Sequence, residues 1–490
     1  MTPRYEKLIP YIKKRRKLHY LSSLLNYDMA TCCPSKSLEE IGGLLSEVDV
    51  EAANVSKDPA FIRLVKEASL DPDLNDAERR FVEKELETIE YLEKLSSEEY
   101  LAMRKAYTKS NEMWRLYKPT GDFASWLPYW EACVEAKRKE CALKRKEGET
   151  LYDVCLRTYE PGSSEKEIDR VFEPLKAYLI PKVKEAIKKQ QNAPKPRNLA
   201  FPKEKQEKLS YALLKIIGYD LDMGALRESE HPFSDNLSRY DARITTNYDE
   251  SDFRSSLFSV LHEGGHALEF QHWPETQYEE GVEGFATAAI CETHSRFYEN
   301  LLGRSKDFVP TLRKALAETL DPSFSSWSDE EIYALGNAVK PIANRCDSDE
   351  LTYSLHIILR YEIEKELING RISCGEVPAM WNKLTKEYLG VEIKNDREGC
   401  MQDIHWTDGE FGYFPSYALG NIYGAMILNK MKETLDVPLL LKEGNLSPIL
   451  SWLTENDYAY DYLKPVDWIK KVTGRAMDSS DFIAYLDQKY

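Results

Sequence analysis

Residues 262–266 read His-Glu-Gly-Gly-His, and this HExxH string constrains the fold more than any other part of the 490-residue chain. On an α-helix, positions i and i+4 share one face about one turn apart. His262 and His266 can therefore aim two imidazole nitrogens at one cation, with Glu263 beside them as general base. A catalytic zinc takes three protein ligands and keeps one position for water. The chain must therefore fold so that a third ligand from elsewhere reaches the same point. The two central glycines work against this, since each costs a helix about 1 kcal/mol relative to alanine.

Two positions compete for the third ligand. His272 completes the spacing HExxHxxGxxH, except that Glu269 stands where a glycine would let the chain leave the helix abruptly. Glutamate favours continued helix, and at about 100° per residue His272 then points away from the face shared by His262 and His266. The alternative is a carboxylate on a second helix, giving the His2Glu set of a thermolysin-like site. Residues Glu283–Leu302 have helical spacing, with Phe285, Ala288, Ala289 and Cys291 on a small apolar side. Glu292 has Arg296 one turn further on to steady it. By spacing alone, Glu279, Glu280, Glu283 and Glu292 are not separable.

Composition narrows the setting. Hydrophobic content of 42% with 30% charged residues is that of a soluble globular protein. A formal charge of −17 argues against a nucleic-acid partner, and Lys13-Lys14-Arg15-Arg16-Lys17 reads as a solvated helix face. Nine cysteines without CxxC spacing suit a reduced, cytoplasmic protein. The N-terminus shows no apolar signal region, and no apolar run reaches membrane-spanning length.

Apolar residues recur at three- and four-residue steps in Asp76–Leu95, Trp126–Lys146 and Glu165–Gln191, predicting long helices. Proline and glycine mostly fall between such stretches, as at Glu160-Pro161-Gly162 and within 192–196. Asp241–Thr246 alternates and is β-branched, predicting a strand just upstream of the HExxH segment. The expected fold is all-α, predominantly helical, with a small β element near the active site. A single catalytic domain covers 1–490, with an N-terminal helical subdomain at 1–120.

Further motifs follow in order along nearly the whole chain. They are His231-Pro232-Phe233, Asp241-Ala242-Arg243-Ile244-Thr245, His262–His266, Glu292-Thr293-His294-Ser295-Arg296 and Arg345-Cys346-Asp347-Ser348-Asp349. The series ends with Gly399-Cys400-Met401-Gln402-Asp403-Ile404-His405-Trp406 and Gly412-Tyr413-Phe414-Pro415-Ser416-Tyr417. Upstream, Tyr27–Thr31 and Tyr159–Gly162 fit as well. In these motifs the chain resembles the carboxypeptidase Taq family of metallocarboxypeptidases.

That resemblance implies a deep groove floored by an HExxH helix and a Glu292 helix, as in neurolysin- and thermolysin-like folds. It implies one divalent metal ion, Zn2+ with Co2+ or Mn2+ accepted, held by His262, His266 and Glu292. Glu263 would act as base toward water, and His405 with Tyr417 or Tyr413 would donate to the developing oxyanion. The substrates would be peptides with a free C-terminus, and the assembly a homodimer. Arg345 is the expected anchor for the terminal carboxylate, because a guanidinium matches a carboxylate bidentately. Arg243 and His231 would support the cleft. Plainer roles exist: Arg345 can pair Asp347 or Asp349, His231 can cap a turn, His356 reads as a core histidine, and His294, two residues from Glu292, lies on another helix face away from the metal. The sequence departs from the family at Tyr27, Glu269–Trp273, Cys291 and Asn344, which touches substrate preference more than the metal triad. Two other functions fit the same residues: an oligopeptidase lacking the carboxylate anchor, and a catalytically inactive peptide-binding scaffold.

Overall fold

The computed structural model describes residues 1–192, 194, 199–282 and 286–490. Helices dominate and their starts are set by side-chain caps. Asn75 accepts from the Glu78 amide while the Glu78 carboxylate accepts from the Asn75 amide, opening helix Asp76–Glu93. Ser96 with Glu99 does the same for Ser97–Tyr117, and Thr150 with Asp153 for Leu151–Tyr159. The predicted long helices run Asp76–Glu93, Phe123–Lys144 and Glu165–Lys189.

Prolines do not all act as breakers. Pro128, Pro174 and Pro181 lie inside helices. An internal proline costs about 3 kcal/mol or more. These helices bury Trp126, Trp130, Leu175 and Leu179, and tertiary packing of that kind supplies most helix stability in proteins. The 192–196 breaker lies largely outside the described residues.

Three strands form the one sheet among the described residues, in order β1-β3-β2. β1 (Leu226–Glu228) runs parallel to β3 (Asp241–Thr246), and β2 (Ser234–Ser238) runs antiparallel to it. β3 has the bounds that alternation predicts. It backs onto the HExxH helix, where Thr246 Oγ1 lies 3.0 Å from Ser259 Oγ.

Most of the chain shares one core. A second, smaller core gathers N-terminal residues including Leu8, Phe61, Val65 and Phe81, and closes on Val282. Tyr107 and Trp114, still within the first 120 residues, belong to the main core. The basic run at 13–17 is partly a tertiary face: Arg15 donates to both oxygens of Glu85 at 2.9 and 2.7 Å, and Arg16 stacks 3.9 Å from the Tyr278 ring centroid.

Candidate metal centre

The HExxH helix, Arg254–Gln271, is buried on almost every side, as expected for a helix in the middle of a large protein. Its glycines are explained by neighbours. A Cβ on Gly264 would come within 2.6 Å of Ile217 Cδ1, on helix Lys203–Ile217. One on Gly265 would sit 2.7 Å from the His294 carbonyl oxygen and 2.8 Å from Ser295 Cα, both on helix Ala288–Arg296. Gly420, on helix Phe414–Met431, repeats the device from the other side, 2.8 Å from Glu292 Cβ. Three helices thus stack at backbone contact, a fourth packs its Leu214 and Ile217 side chains on Gly264, and close approach offsets the low helix propensity of glycine.

That stacking brings donor atoms of His262, His266 and Glu292 within 4.8 Å of one another. Among the described residues no other set of His, Cys, Asp and Glu comes together this way. The predicted helix at Glu283–Leu302 begins at Ala288, capped by Thr287, and continues as a π-helical stretch over Phe297–Gly303. Glu283 and Phe285 lie outside the described residues. His272 ends the HExxH helix with Nδ1 2.8 Å from the Leu268 carbonyl, and it is not part of the cluster.

Each donor is held from behind. His262 Nδ1 lies 2.9 Å from Glu299 Oε2, leaving Nε2 for an ion, and Glu299 Oε1 accepts from Arg304 at 2.7 Å. Glu292 accepts from Arg296 Nε at 3.0 Å, and Arg296 stacks on the Tyr353 ring at 4.3 Å. His266 makes a backbone hydrogen bond with Cys291. Two imidazoles and one carboxylate are a donor set that catalytic zinc sites use, and oriented second partners are what such sites require. The residues present fit a divalent ion.

Burial and the clustered carboxylates set the electrostatics. Burial alone would lower His262, but Glu299, Glu263 and Glu292 outweigh it and lift its pKa to about 9. Burial pushes Glu263 up to about 7, against the opposing pull of His262 and a Ser234 hydrogen bond. Burial and the neighbouring His262 charge hold His266 well below its usual value. Burial also drives the Cys291 thiol well up, and Cys291 is not part of the cluster.

A second constellation lies alongside. Arg345 is buried and donates through Nε and Nη2 to Asp403 Oδ1 at 3.1 and 3.0 Å, and through Nη1 to the Tyr353 hydroxyl at 2.9 Å. Arg360, fully buried, donates to Asp403 Oδ2 at 2.7 Å. Burial would raise the Asp403 carboxyl, but the two guanidiniums hold it well below the usual range. Asp347 and Asp349 serve elsewhere: one accepts from Asn344, and the other caps helix Glu350–Ile368. Arg345 also stacks 4.9 Å from the Tyr417 ring, whose hydroxyl lies 3.4 Å from His405 Nε2. Tyr413 packs on both, its ring 5.3 Å from His405 and 5.2 Å from Tyr417. Burial and the two arginines lower His405 to about 4 despite Asp403, so it is neutral at physiological pH.

Other predicted residues sit less centrally. Arg243 is engaged by Asp241, two positions along its own strand, through two 2.8 Å bonds. His231 is exposed in the connection before β2. His294 is fully buried between Glu269, at 2.7 Å, and Asp457, at 3.2 Å. His356 is a core residue. Sequence reasoning missed Glu299, Tyr353 and Arg360. Glu299 alone left a signal: it follows Glu292 by seven residues, two helical turns, on the same face.

The family model for carboxypeptidase Taq (M32) metallopeptidase matches residues 7–490. Carboxypeptidase 1 of Bacillus subtilis is 36% identical over 483 residues, covering 97% of this chain and 96% of its own. The solved Pyrococcus furiosus carboxypeptidase superposes with a TM-score of 0.94 at 27% identity, over 100% of this chain and 99% of that one. Trypanosoma cruzi metallocarboxypeptidase 1 gives 0.93 at 30% identity, covering 99% of each. This chain belongs to the carboxypeptidase Taq (M32) family and is a metallocarboxypeptidase.

Proposed function

We propose that the enzyme removes residues from peptides with a free C-terminus using one divalent ion, zinc foremost with cobalt or manganese as substitutes, held by His262, His266 and Glu292. Such an ion supplies Lewis acidity toward the scissile carbonyl and lowers the pKa of water toward neutrality. Glu263, held as carboxylate by the neighbouring cation, takes a proton from water and delivers it to the leaving amine. Neutral His405 and the Tyr417 hydroxyl, with Tyr413 packed against them, donate to the oxygen on which negative charge develops.

The observation that carries the exopeptidase reading is the charge balance around Asp403. Arg345 and Arg360 share this single carboxylate, which leaves one buried positive charge uncompensated. Three of the five N–H donors of Arg345 are used, so two remain for a substrate carboxylate. An incoming C-terminus would neutralise the excess charge. Arg243, tied to Asp241, and exposed His231 support the cleft at a distance from this anchor.

Hydrolysis of an N-blocked dipeptide and its C-terminal amide tests the reading. Arg345→Ala should lose most activity on the free acid and little on the amide. Equal loss on both would favour an oligopeptidase, and absence of metal and turnover in the wild type would favour a scaffold. We place the enzyme in the cytoplasm as a homodimer, acting away from membranes and nucleic acid. The support is the family resemblance, the charge of −17 and the nine free cysteines.

A further inference from the structure

A cavity of about 530 Å3 lies between helix Asp76–Glu93 and the turn joining Phe123–Lys144 to Leu151–Tyr159. Seven cationic side chains and three carboxylates line it, in a chain whose net charge is −17. Four of the cations are paired: Lys146 and Arg157 with Glu87, Lys464 with Glu83, and Lys144 with Glu140 behind the wall. The other three are Arg80, Lys94 and Arg145, and among the described residues none has a carboxylate within ion-pair distance. Lys94 Nζ and Arg145 Nε donate only to the Leu143 and Glu149 backbone carbonyls. Arg80 Nε is buried without an acceptor. Glu90 is the one opposing carboxylate without an ion pair there, so cations remain in excess. Lys94 and Arg145 are exposed at the rim, whereas leaving the buried Arg80 donor unmatched is costly, and the nearby Glu83 and Glu87 charges offset that burial only in part.

We propose that this cavity binds a small anion carrying two or three phosphoryl groups. Two guanidiniums and an ammonium offer bidentate and point-charge contacts to phosphate oxygens. The volume lies within the range of about 300–1,000 Å3 typical of small-molecule sites. Pro161 and Gly162 also line the cavity, next to Glu160, whose carboxylate accepts from the Ala289 amide at the start of the Glu292 helix. The site is separate from the peptidase chemistry above and does not depend on it.

Calorimetric titration of the metal-loaded enzyme with ATP, and separately with tripolyphosphate, tests the proposal. Excess Mg2+ in both keeps either probe from stripping the catalytic ion. The expected result is one saturable site with Kd at or below about 1 mM. Affinity should fall at least about tenfold in the triple variant Arg80→Ala, Lys94→Ala, Arg145→Ala. The double variant Lys94→Glu, Arg145→Glu leaves Arg80 in place and should weaken binding equally if the triple variant does not fold. Equal affinity for the two probes assigns recognition to the phosphate chain, and tighter ATP adds a nucleoside contact. No saturable binding of either probe, or unchanged affinity in the variants, overturns the proposal.

Discussion

Glu299 Oε2 lies 2.9 Å from His262 Nδ1 while its other oxygen accepts from Arg304, so the imidazole is oriented by a carboxylate that is itself fixed. Partners of this kind set tautomer and ring angle, and losing one typically weakens metal affinity about 10–100-fold. Glu299→Gln should show that loss in activity measured against buffered free metal, with kcat largely recovered at saturation. Unchanged metal dependence would remove Glu299 from the site.

The fold was legible where local signals decide it. Helix Asp76–Glu93 begins at the residue where apolar periodicity starts, and β3 has the bounds its alternation implies. The i, i+4 spacing of His262 and His266 required only a helix. What could not be read were relations fixed by tertiary contact. Arg345 meets Asp403 across 58 residues, and no local spacing distinguishes that partner from Asp347. Glu299 follows Glu292 by two turns, but that it reaches His262, 37 residues away, is a tertiary relation that spacing along its own helix does not carry. The glycines of the HExxH segment have their reason in residues 214–217 and 294–295, outside any local window.

Gly265 faces backbone, not a yielding side chain. In Gly265→Ala the new methyl would meet the His294 carbonyl at 2.7 Å, so the HExxH helix and the Glu292 helix must separate. Overpacking costs about 1–3 kcal/mol, exceeding the gain of about 1 kcal/mol in helix propensity. Thermal unfolding should therefore shift down and metal affinity should fall with it. A variant more stable than wild type would show that the helices can part without strain.

Glu160 lies fully buried and accepts from Ala289 N at 2.8 Å and from the Thr287 and Ser416 hydroxyls at 2.8 and 2.7 Å. Burial outweighs these bonds and raises its pKa to about 7. A raised folded pKa gives a contribution present below the unfolded value, about 4.3, and lost as pH rises through about 7. Glu160→Gln should remove that pH dependence, so its melting temperature gains on wild type between acid and neutral pH. Glu160→Ala should cost about 1–3 kcal/mol by orphaning the helix start. Parallel melting curves for Gln and wild type from pH 4 to 8 would contradict the buried, neutralising carboxyl.

His294 ties Glu269, one turn beyond His266, to Asp457, which also accepts from Trp468 Nε1 at 3.0 Å. Burial would lower its pKa, yet the two carboxylates raise it to about 10, so the ring is cationic at neutral pH. His294→Ala leaves two buried carboxylates facing each other and should cost about 3–5 kcal/mol. The stability from this raised pKa is full below about 6.5 and fades as pH rises through about 10. The gap between wild type and variant should accordingly narrow in alkaline melts, and a constant gap would argue for packing alone.

Glu263 and His405 should leave separable marks on the pH–rate profile. Glu263 has a pKa near 7 before any ion binds, and a cation beside it favours the carboxylate, moving that value downward. Since the base works only when deprotonated, kcat/KM should rise with pH along an acidic limb whose midpoint lies below 7. Glu263→Gln should abolish that limb together with nearly all activity. His405, lowered to about 4, is neutral across the same range. His405→Phe should therefore drop the plateau by about 10²–10³ without moving the limb, the signature of a lost oxyanion donor. If the limb shifts in His405→Phe and stays put when the bound metal is exchanged, the ionisation belongs to His405, and Glu263 is not the group that titrates.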